Sequence, residues 1–144
     1  MYNILENIFL SKELYQSILA PICAKHEITQ VEMAILLFIS SNPDLNTATD
    51  VVKSRRMTKS AVSMAVRSLQ EKGYIYGEFI GGNRRSVYLT VCDKASEIVK
   101  EGLDAQSSFL SILTEGLTEN EILALKNIQS KMLENIRAHH GYNI

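Results

Sequence analysis

The chain has 144 residues, of which 46% are apolar and 22% charged, so we expect one folded domain, or one subunit of a small oligomer, rather than a disordered chain. Its longest apolar run, residues 33–39, is far shorter than the roughly 20 residues that span a bilayer, and its beginning lacks the basic segment of a secretory signal. Two cysteines, Cys23 and Cys92, are too few for a disulfide scaffold. These features predict a cytoplasmic protein with no membrane partner.

The charges are unevenly distributed along the chain. Eight basic and two acidic residues lie between residues 53 and 85, a net charge of +6, whereas the whole chain carries −1 and the remainder therefore −7. A basic middle between acidic flanks favours a face that binds a polyanion, although a solvated charged surface is an equally good interpretation of charge alone. The basic residues are Lys53, Arg55, Arg56, Lys59, Arg67, Lys72, Arg84 and Arg85.

Hydrophobic spacing predicts four helices in the first half of the chain. The first covers about residues 4–26, and Pro21 is expected to kink or break it because proline lacks a backbone donor. The second begins at a Thr-Gln-Val-Glu capping box and covers residues 29–41. Two short helices follow, at residues 47–54 and at residues 58–72, and a glycine ends the latter.

The periodicity changes after this glycine. Residues 74–79 are rich in aromatic side chains and residues 86–91 in β-branched ones, with the turn residues of a hairpin at 81–85. Helical spacing returns at about residues 93–115, and a second capping box begins a last helix at about residues 118–138. The predicted fold class is therefore mainly α with a small β-hairpin wing.

Two short helices joined by a tight turn, the second of them basic, match a helix-turn-helix. On a helical projection the second helix has one apolar face and one polar face, as any amphipathic surface helix does. The adjacent hairpin, whose tip carries Arg84 and Arg85, favours DNA as the partner because such a tip could reach a minor groove. The polar face consists of Lys59, Ser60, Ser63, Met64, Arg67, Gln70 and Glu71, and the apolar face of Ala61, Val62, Ala65, Val66 and Leu69.

The run from Met57 to Ile75, followed by Asn-Arg-Arg-Ser, resembles the winged helix-turn-helix of MarR-type (multiple-antibiotic-resistance repressor) regulators. In that family the recognition helix ends in Leu-x-x-x-Gly, here residues 69–73, and the wing carries Asp-x-Arg, here residues 83–85. Asn83 departs from this pattern by replacing the acid. Cys92 departs from it by replacing a helix-capping threonine, for which the following aspartate is a substitute.

The resemblance covers essentially the whole chain and implies a homodimeric, sequence-specific DNA-binding regulator. It implies a repressor at a palindromic operator, with a small-molecule effector. Residues 1–28 and 117–144 would then be dimerisation helices, residues 29–92 the winged helix-turn-helix lobe and residues 93–116 a connecting helix within one continuous unit. The expected DNA-binding residues are Arg56 and Thr58 at the backbone, Lys59, Ser60, Ser63 and Arg67 in the major groove, and Arg84 and Arg85 in the minor groove.

Apolar stripes near both ends of the chain also favour a dimer, because a monomer would expose them. Packing of both stripes within one subunit is the alternative. The stripes are Ile4, Ile8, Tyr15, Ile18 and Ile22 in the first helix, and Leu125, Ile128, Met132 and Ile136 in the last, with Ile122 and Leu133 at its margins.

Two other kinds of function remain open. Cys23 and His26, three residues apart on a helix, could sense a metal or an oxidant, but a zinc site needs about four ligands, so ordinary packing is favoured. A winged-helix protein-interaction module without DNA binding is the other alternative. An enzyme is not expected, because the sequence carries no nucleotide-binding loop, nucleophile elbow or zinc-protease motif. We expect no cofactor, metal site or catalytic residue.

Overall fold

The computed structural model describes residues 3–82 and 86–140, and it contains the predicted order of helices and hairpin. The predicted fold class, mainly α with a small β-hairpin, is confirmed. The elements are α1 (Ile4–Lys25), α2 (Gln30–Ser41), α3 (Ala48–Arg55), α4 (Lys59–Glu71), β1 (Ile75–Glu78), β2 (Tyr88–Val91), a single 3-10 turn (Asp93–Ala95), α5 (Ser96–Leu113) and α6 (Glu119–His140).

Threonine caps fix where four of these helices begin, at Thr29, Thr47, Thr58 and Thr118. The hydroxyl oxygens of Thr29, Thr47 and Thr58 each accept a hydrogen bond at 3.1 Å from the backbone N–H three residues further on. At the first two caps and at the last, the acidic side chain three residues on accepts a bond from the threonine N–H in return. Because the first amides of a helix have no partner within it, these side chains define the starts of α2, α3, α4 and α6.

Of the kink or break expected at Pro21, the break is wrong. α1 continues through Pro21 to Lys25, and Pro21 itself is exposed. Leu19 and Cys23, on either side of it, are both buried in the core. Proline removes only one helical hydrogen bond here, near the end of the helix, and the packing of these two side chains keeps the last turn helical.

The two strands form an antiparallel hairpin that is shorter than the sequence suggests. Ile75 pairs with Val91 at one end of the ladder, and Glu78 pairs with Tyr88 at the other. The backbone N–H of Leu89 also donates to the carbonyl of Asn46 at 2.8 Å, which ties β2 to the residues just before α3. The predicted tip residues Asn83, Arg84 and Arg85 lie outside the described residues.

The predicted helix that follows the hairpin starts with a change of pitch. Residues 93–95 form the 3-10 turn, and α5 proper covers Ser96–Leu113. Cys92 precedes the turn and makes no capping bond with its side chain. A thiol is a weak acceptor, so it does not replace the threonine hydroxyl in this role.

α2 is the centre of the core and supports α4. Its residues from Met33 to Ile39 are buried apart from Ala34, which is partly exposed. The apolar face of α4, β2 and the first half of α5 pack around it into one cluster. The least exposed large side chains of the cluster are Met33, Ile35, Leu36, Val51, Val62, Leu69, Leu89 and Ile98.

The chain divides into two compact units, residues 1–109 and residues 110–144. The first contains the core and the hairpin. The second contains the end of α5 and the whole of α6, none of whose residues is buried. The sequence-based boundaries at residues 92 and 116 differ from this division, and the dimerisation role of the terminal segments stays a prediction.

Candidate nucleic-acid interface

α4 has one buried and one exposed face, and they are the two faces that the helical projection predicts. Val62, Ala65 and Leu69 are buried, whereas Ala61 and Val66 are half-buried. This burial holds the helix against α2 and α3 with its polar side outward. Every residue of the predicted polar face is exposed, namely Lys59, Ser60, Ser63, Met64, Arg67, Gln70 and Glu71.

Two cations on this face have no acidic partner in the part of the chain that the structure describes. Lys59 lies in the first turn of α4 and Arg67 lies two turns later, and neither forms an ion pair with a described residue. Lys53 of α3 and Lys59 line the same open groove of about 460 Å³ between α3 and α4. Positive charge therefore converges along this side of the helix pair.

The turn between α3 and α4 holds two more of the predicted residues. Arg56 follows α3 in a left-handed conformation with φ of 54°, and it is exposed. Thr58 is exposed as well, and its hydroxyl oxygen already accepts the amide of Ala61. A threonine hydroxyl that accepts still has its own proton to donate, so Thr58 can cap α4 and donate to a phosphate oxygen at once.

Two residues of the basic stretch contact other groups of the fold. The Nζ atom of Lys72 lies 3.1 Å from Oε2 of Glu32 and donates to the carbonyl of Glu27 at 2.9 Å. The guanidinium of Arg55 lies over the ring of Phe38, 5.2 Å from its centroid. The basic stretch is therefore not one uniform surface, and the predicted DNA-binding residues do not include either of these two.

The sequence analysis missed the burial of Glu32. Only 4% of this residue is exposed, although its carboxylate was expected to act only as the cap of α2. Its Oε1 accepts from the amide of Thr29, and its Oε2 accepts from Lys72 and from the hydroxyl of Ser68 at 3.2 Å. Burial raises the pKa of Glu32, but the bonds from Lys72, Thr29 and Ser68 outweigh burial, so its pKa lies below the ordinary value.

This network anchors the end of α4. Ser68 and Lys72 belong to α4 and its C-cap, whereas Glu32 belongs to the first turn of α2. The pairs are 36 and 40 residues apart in sequence, so no local pattern could have indicated them. The carboxylate therefore fixes α4 to the core at the end opposite its threonine cap.

Cys23 and His26 do not converge on a common ligand site. Cys23 is buried, and burial, followed by the negative charge of Glu32, raises the pKa of its thiol. His26 lies with its Nε2 2.8 Å from a carboxylate oxygen of Glu101, which also pairs with Lys25. Among residues 3–82 and 86–140, no three His, Cys, Asp or Glu side chains are grouped so that they could hold a metal ion.

The apolar stripes predicted at the two ends differ in burial. Tyr15, Ile18 and Ile22 of α1 are partly buried and pack against the core of their own unit, and their contact with a second subunit stays a prediction. Ile8, closer to the start of α1, is 52% exposed. In α6, Ile122 is partly exposed, and the other predicted stripe residues are exposed, namely Leu125, Ile128, Met132, Leu133 and Ile136.

Comparison with known proteins agrees with this architecture. The model of the MarR family matches residues 26–86, which run from the end of α1 to the start of the second half of the hairpin. This segment, which contains the helix-turn-helix and the first strand of the hairpin, is therefore similar to the MarR family. The resemblance noted from the recognition helix and the wing is thereby confirmed.

Solved structures similar to this chain extend the likeness to nearly its whole length. A Listeria monocytogenes protein assigned to the MarR family transcriptional regulators, solved with 26mer DNA, has a TM-score of 0.85 at 20% identity, over 96% of this chain and 92% of its own. S. aureus MepR, solved in a DNA complex, has a TM-score of 0.78 at 18% identity, over 94% of this chain and 99% of its own. NadR, solved with 4-hydroxyphenylacetate, has a TM-score of 0.74 at 15% identity, over 92% of this chain and 93% of its own. At these identities the likeness establishes a common fold.

Membrane insertion through a helix finds no support in the described residues. Within the described ranges, every helix is too short or too polar to cross a bilayer.

Proposed function

We propose that this chain is a homodimeric, sequence-specific DNA-binding transcriptional regulator of the MarR family. The observation that carries the proposal is the polar face of α4, where Lys59 and Arg67 are exposed and form no ion pair with any described residue. A cation without an internal partner is available to a phosphate or to guanine, and the short side chains of Ser60 and Ser63 allow close approach to base edges. Two structurally similar proteins, from L. monocytogenes and S. aureus, were solved with DNA.

Each predicted residue has a role that follows from its place on the fold. Arg56 and Thr58, in the turn before α4, would position the DNA backbone, because this turn lies at the positive N-terminal end of the helix. The exposed face of α4 would enter the major groove. Arg84 and Arg85, which lie outside the described residues, would reach the minor groove from the wing, as their sequence position suggests.

A dimer is part of the proposal, because one module reads only a few base pairs. α6 supports it, since none of its 22 residues is buried in the chain and Ile128 and Ile136 are 55% and 50% exposed. A stripe of this kind on a soluble chain favours association. Two copies would present their α4 helices to half-sites about one helical turn apart, as a palindromic operator requires.

The dimer has its own test. Replacing Ile128 and Ile136 together by glutamate should convert the dimer to a monomer in light scattering after size exclusion. Lys131→Glu, also on the exposed surface of α6, is the matched control and should leave the mass unchanged. If the double variant keeps the mass of a dimer, α6 is not the interface.

We further propose that the regulator is a repressor and that a small molecule changes its affinity for DNA. The NadR structure, in which a similar fold was solved with 4-hydroxyphenylacetate, supports the small-molecule part of this proposal. A ligand changes DNA binding only if it binds the two conformations of the dimer with different affinity. Calorimetric titration with 4-hydroxyphenylacetate, followed by DNA binding with and without it, tests this part separately.

DNA binding is tested by selecting sequences from a random duplex pool with the wild-type protein. We expect a palindrome, and we expect its affinity in fluorescence anisotropy to fall steeply with salt. Arg67→Ala and Lys59→Ala should weaken binding, and each phosphate contact that is lost should lower the log–log salt slope by about 1. Lys100→Ala, an exposed lysine of α5, is the matched control and should change neither quantity. Failure to bind any duplex at low salt would instead favour the protein-interaction module.

A further inference from the structure

The most exposed large apolar side chain of the described residues lies on the polar face of α4. Met64 is 71% exposed, more than any other large hydrophobic residue within 3–82 and 86–140. The rest of the apolar content of α4 packs inward or is half-buried. Met64 therefore contributes nothing to the core and forgoes the free energy that burial of a methionine would provide.

The neighbours of Met64 include three of the residues that we assign to the major groove. It shares an open surface groove of about 320 Å³ with Ser60, Ser63 and Arg67. These residues lie four positions before, one before and three after it, so Ser60 and Arg67 are its neighbours along the helix face. If α4 brings Ser60 and Arg67 to base edges, it also brings the thioether of Met64 into the major groove of the DNA.

The chemistry of the base edges decides what a thioether recognises there. Guanine, adenine and cytosine present hydrogen-bond donors and acceptors in the major groove, which methionine leaves unpaired. Thymine alone presents a C5-methyl group. Methionine is unbranched and polarisable, and it adapts its shape to such a small apolar surface.

We propose that Met64 is a specificity-determining residue that selects a thymine in each half-site through contact with its C5-methyl group. This inference rests on the proposed DNA-binding function. Ser60, Ser63 and Arg67 would supply the hydrogen bonds of the interface, and Met64 would supply its apolar contact.

A double-mutant cycle between the side chain and the base tests the proposal. The wild-type protein first selects an operator. Its thymines are then replaced by deoxyuridine one position at a time, at the equivalent position of both half-sites, which removes only the methyl group. At one position we expect the wild-type protein to lose about fourfold in affinity for each half-site, the value for one buried methyl-sized group. Met64→Ala should lose affinity on the thymine operator and should not distinguish the two operators.

Two further variants separate contact from helix effects. Met64→Leu keeps an apolar side chain and a strong helix former, so it should retain the preference for thymine over deoxyuridine. Met64→Gln keeps the length and the helix propensity but is polar, so it should lose the preference. Because Met64 is exposed, all three variants should melt within a few degrees of the wild-type protein.

The outcomes distinguish this inference from the function on which it rests. If the wild-type protein selects no sequence, the proposed function fails. If it selects an operator but no thymine methyl group is required, or if Met64→Ala weakens binding equally on thymine and deoxyuridine, the assignment of Met64 is overturned and DNA binding stands.

Discussion

Replacing Lys72 with methionine would leave the carboxylate of Glu32 buried without its cation. The side chain of Glu32 is 5% exposed, and only the donors on Thr29 and Ser68 would remain to it. Removing one partner of a fully buried ion pair costs about 3–5 kcal/mol. The side chain of Lys72 is 35% exposed, so water already screens part of the interaction. We therefore expect Lys72→Met to lower the free energy of unfolding by about 2–3 kcal/mol at neutral pH.

The contribution of Glu32 to the pH dependence of the free energy of unfolding should change sign in the Lys72→Met variant. In the wild-type protein the pKa of Glu32 is lowered, so its contribution is present above the unfolded-state pKa and is lost as the pH falls through the folded-state value. Without Lys72, burial dominates and should raise the pKa of Glu32 above its unfolded-state value. The variant should then recover stability relative to the wild-type protein as the pH falls. Urea unfolding followed by circular dichroism at about pH 7 and about pH 4.5, at fixed protein concentration, measures both effects.

Two controls isolate the unpaired charge. Glu32→Gln combined with Lys72→Met removes both charges and should recover part of the loss at neutral pH, since no ionised group is then buried. Lys100→Met, on the exposed surface of α5, should stay within about 0.5 kcal/mol of the wild-type protein. A Lys72→Met protein that is as stable as this control, with an unchanged pH profile, would show that Glu32 is not held by Lys72.

Other substitutions probe the packing, the thiol and the cap. Gly102→Ala would place a Cβ 2.8 Å from Leu37 Cδ2 and 2.9 Å from Met33 Sδ. Overpacking should therefore exceed the gain in helix propensity and lower the urea midpoint by the equivalent of about 1 kcal/mol. An unchanged midpoint would mean that the surrounding side chains move aside without cost. Cys23 should react with a thiol reagent only as fast as the fold opens, because burial raises its pKa, and immediate labelling of the folded protein would contradict this. Thr58→Ala should cost about 1 kcal/mol in the same unfolding assay, whereas no change would mean that another group caps α4.

The helix faces and helix starts could be predicted from sequence because they depend on local periodicity. The division of α4 into an apolar and a polar face follows from the 3.6-residue repeat, and every residue of the polar face is exposed. The threonines at 29, 47 and 58 act within one turn of their own helices. Such patterns need no knowledge of the tertiary fold.

The features that sequence reasoning missed depend on contacts between distant segments. Glu32 satisfies a capping box locally, and that pattern does not reveal that the same carboxylate also meets Lys72. Pro21 was weighed by its lost hydrogen bond alone, whereas the burial of Leu19 and Cys23 around it keeps α1 helical. An apolar stripe likewise does not reveal whether it packs within its own subunit or against a second one. Tyr15, for example, packs against the core of its own unit.

The two tasks of α4 fall on different side chains. Ser68 and Lys72 bind Glu32 and secure the helix, whereas the side chains that face outward, among them Ser60 and Arg67, touch nothing that the core requires. The outward residues can therefore be exchanged as a set while the attachment is retained. Under the proposed function, a scaffold of this kind acquires new target DNA sequences by mutation without losing its fold, which makes it a practical starting point for altered-specificity libraries.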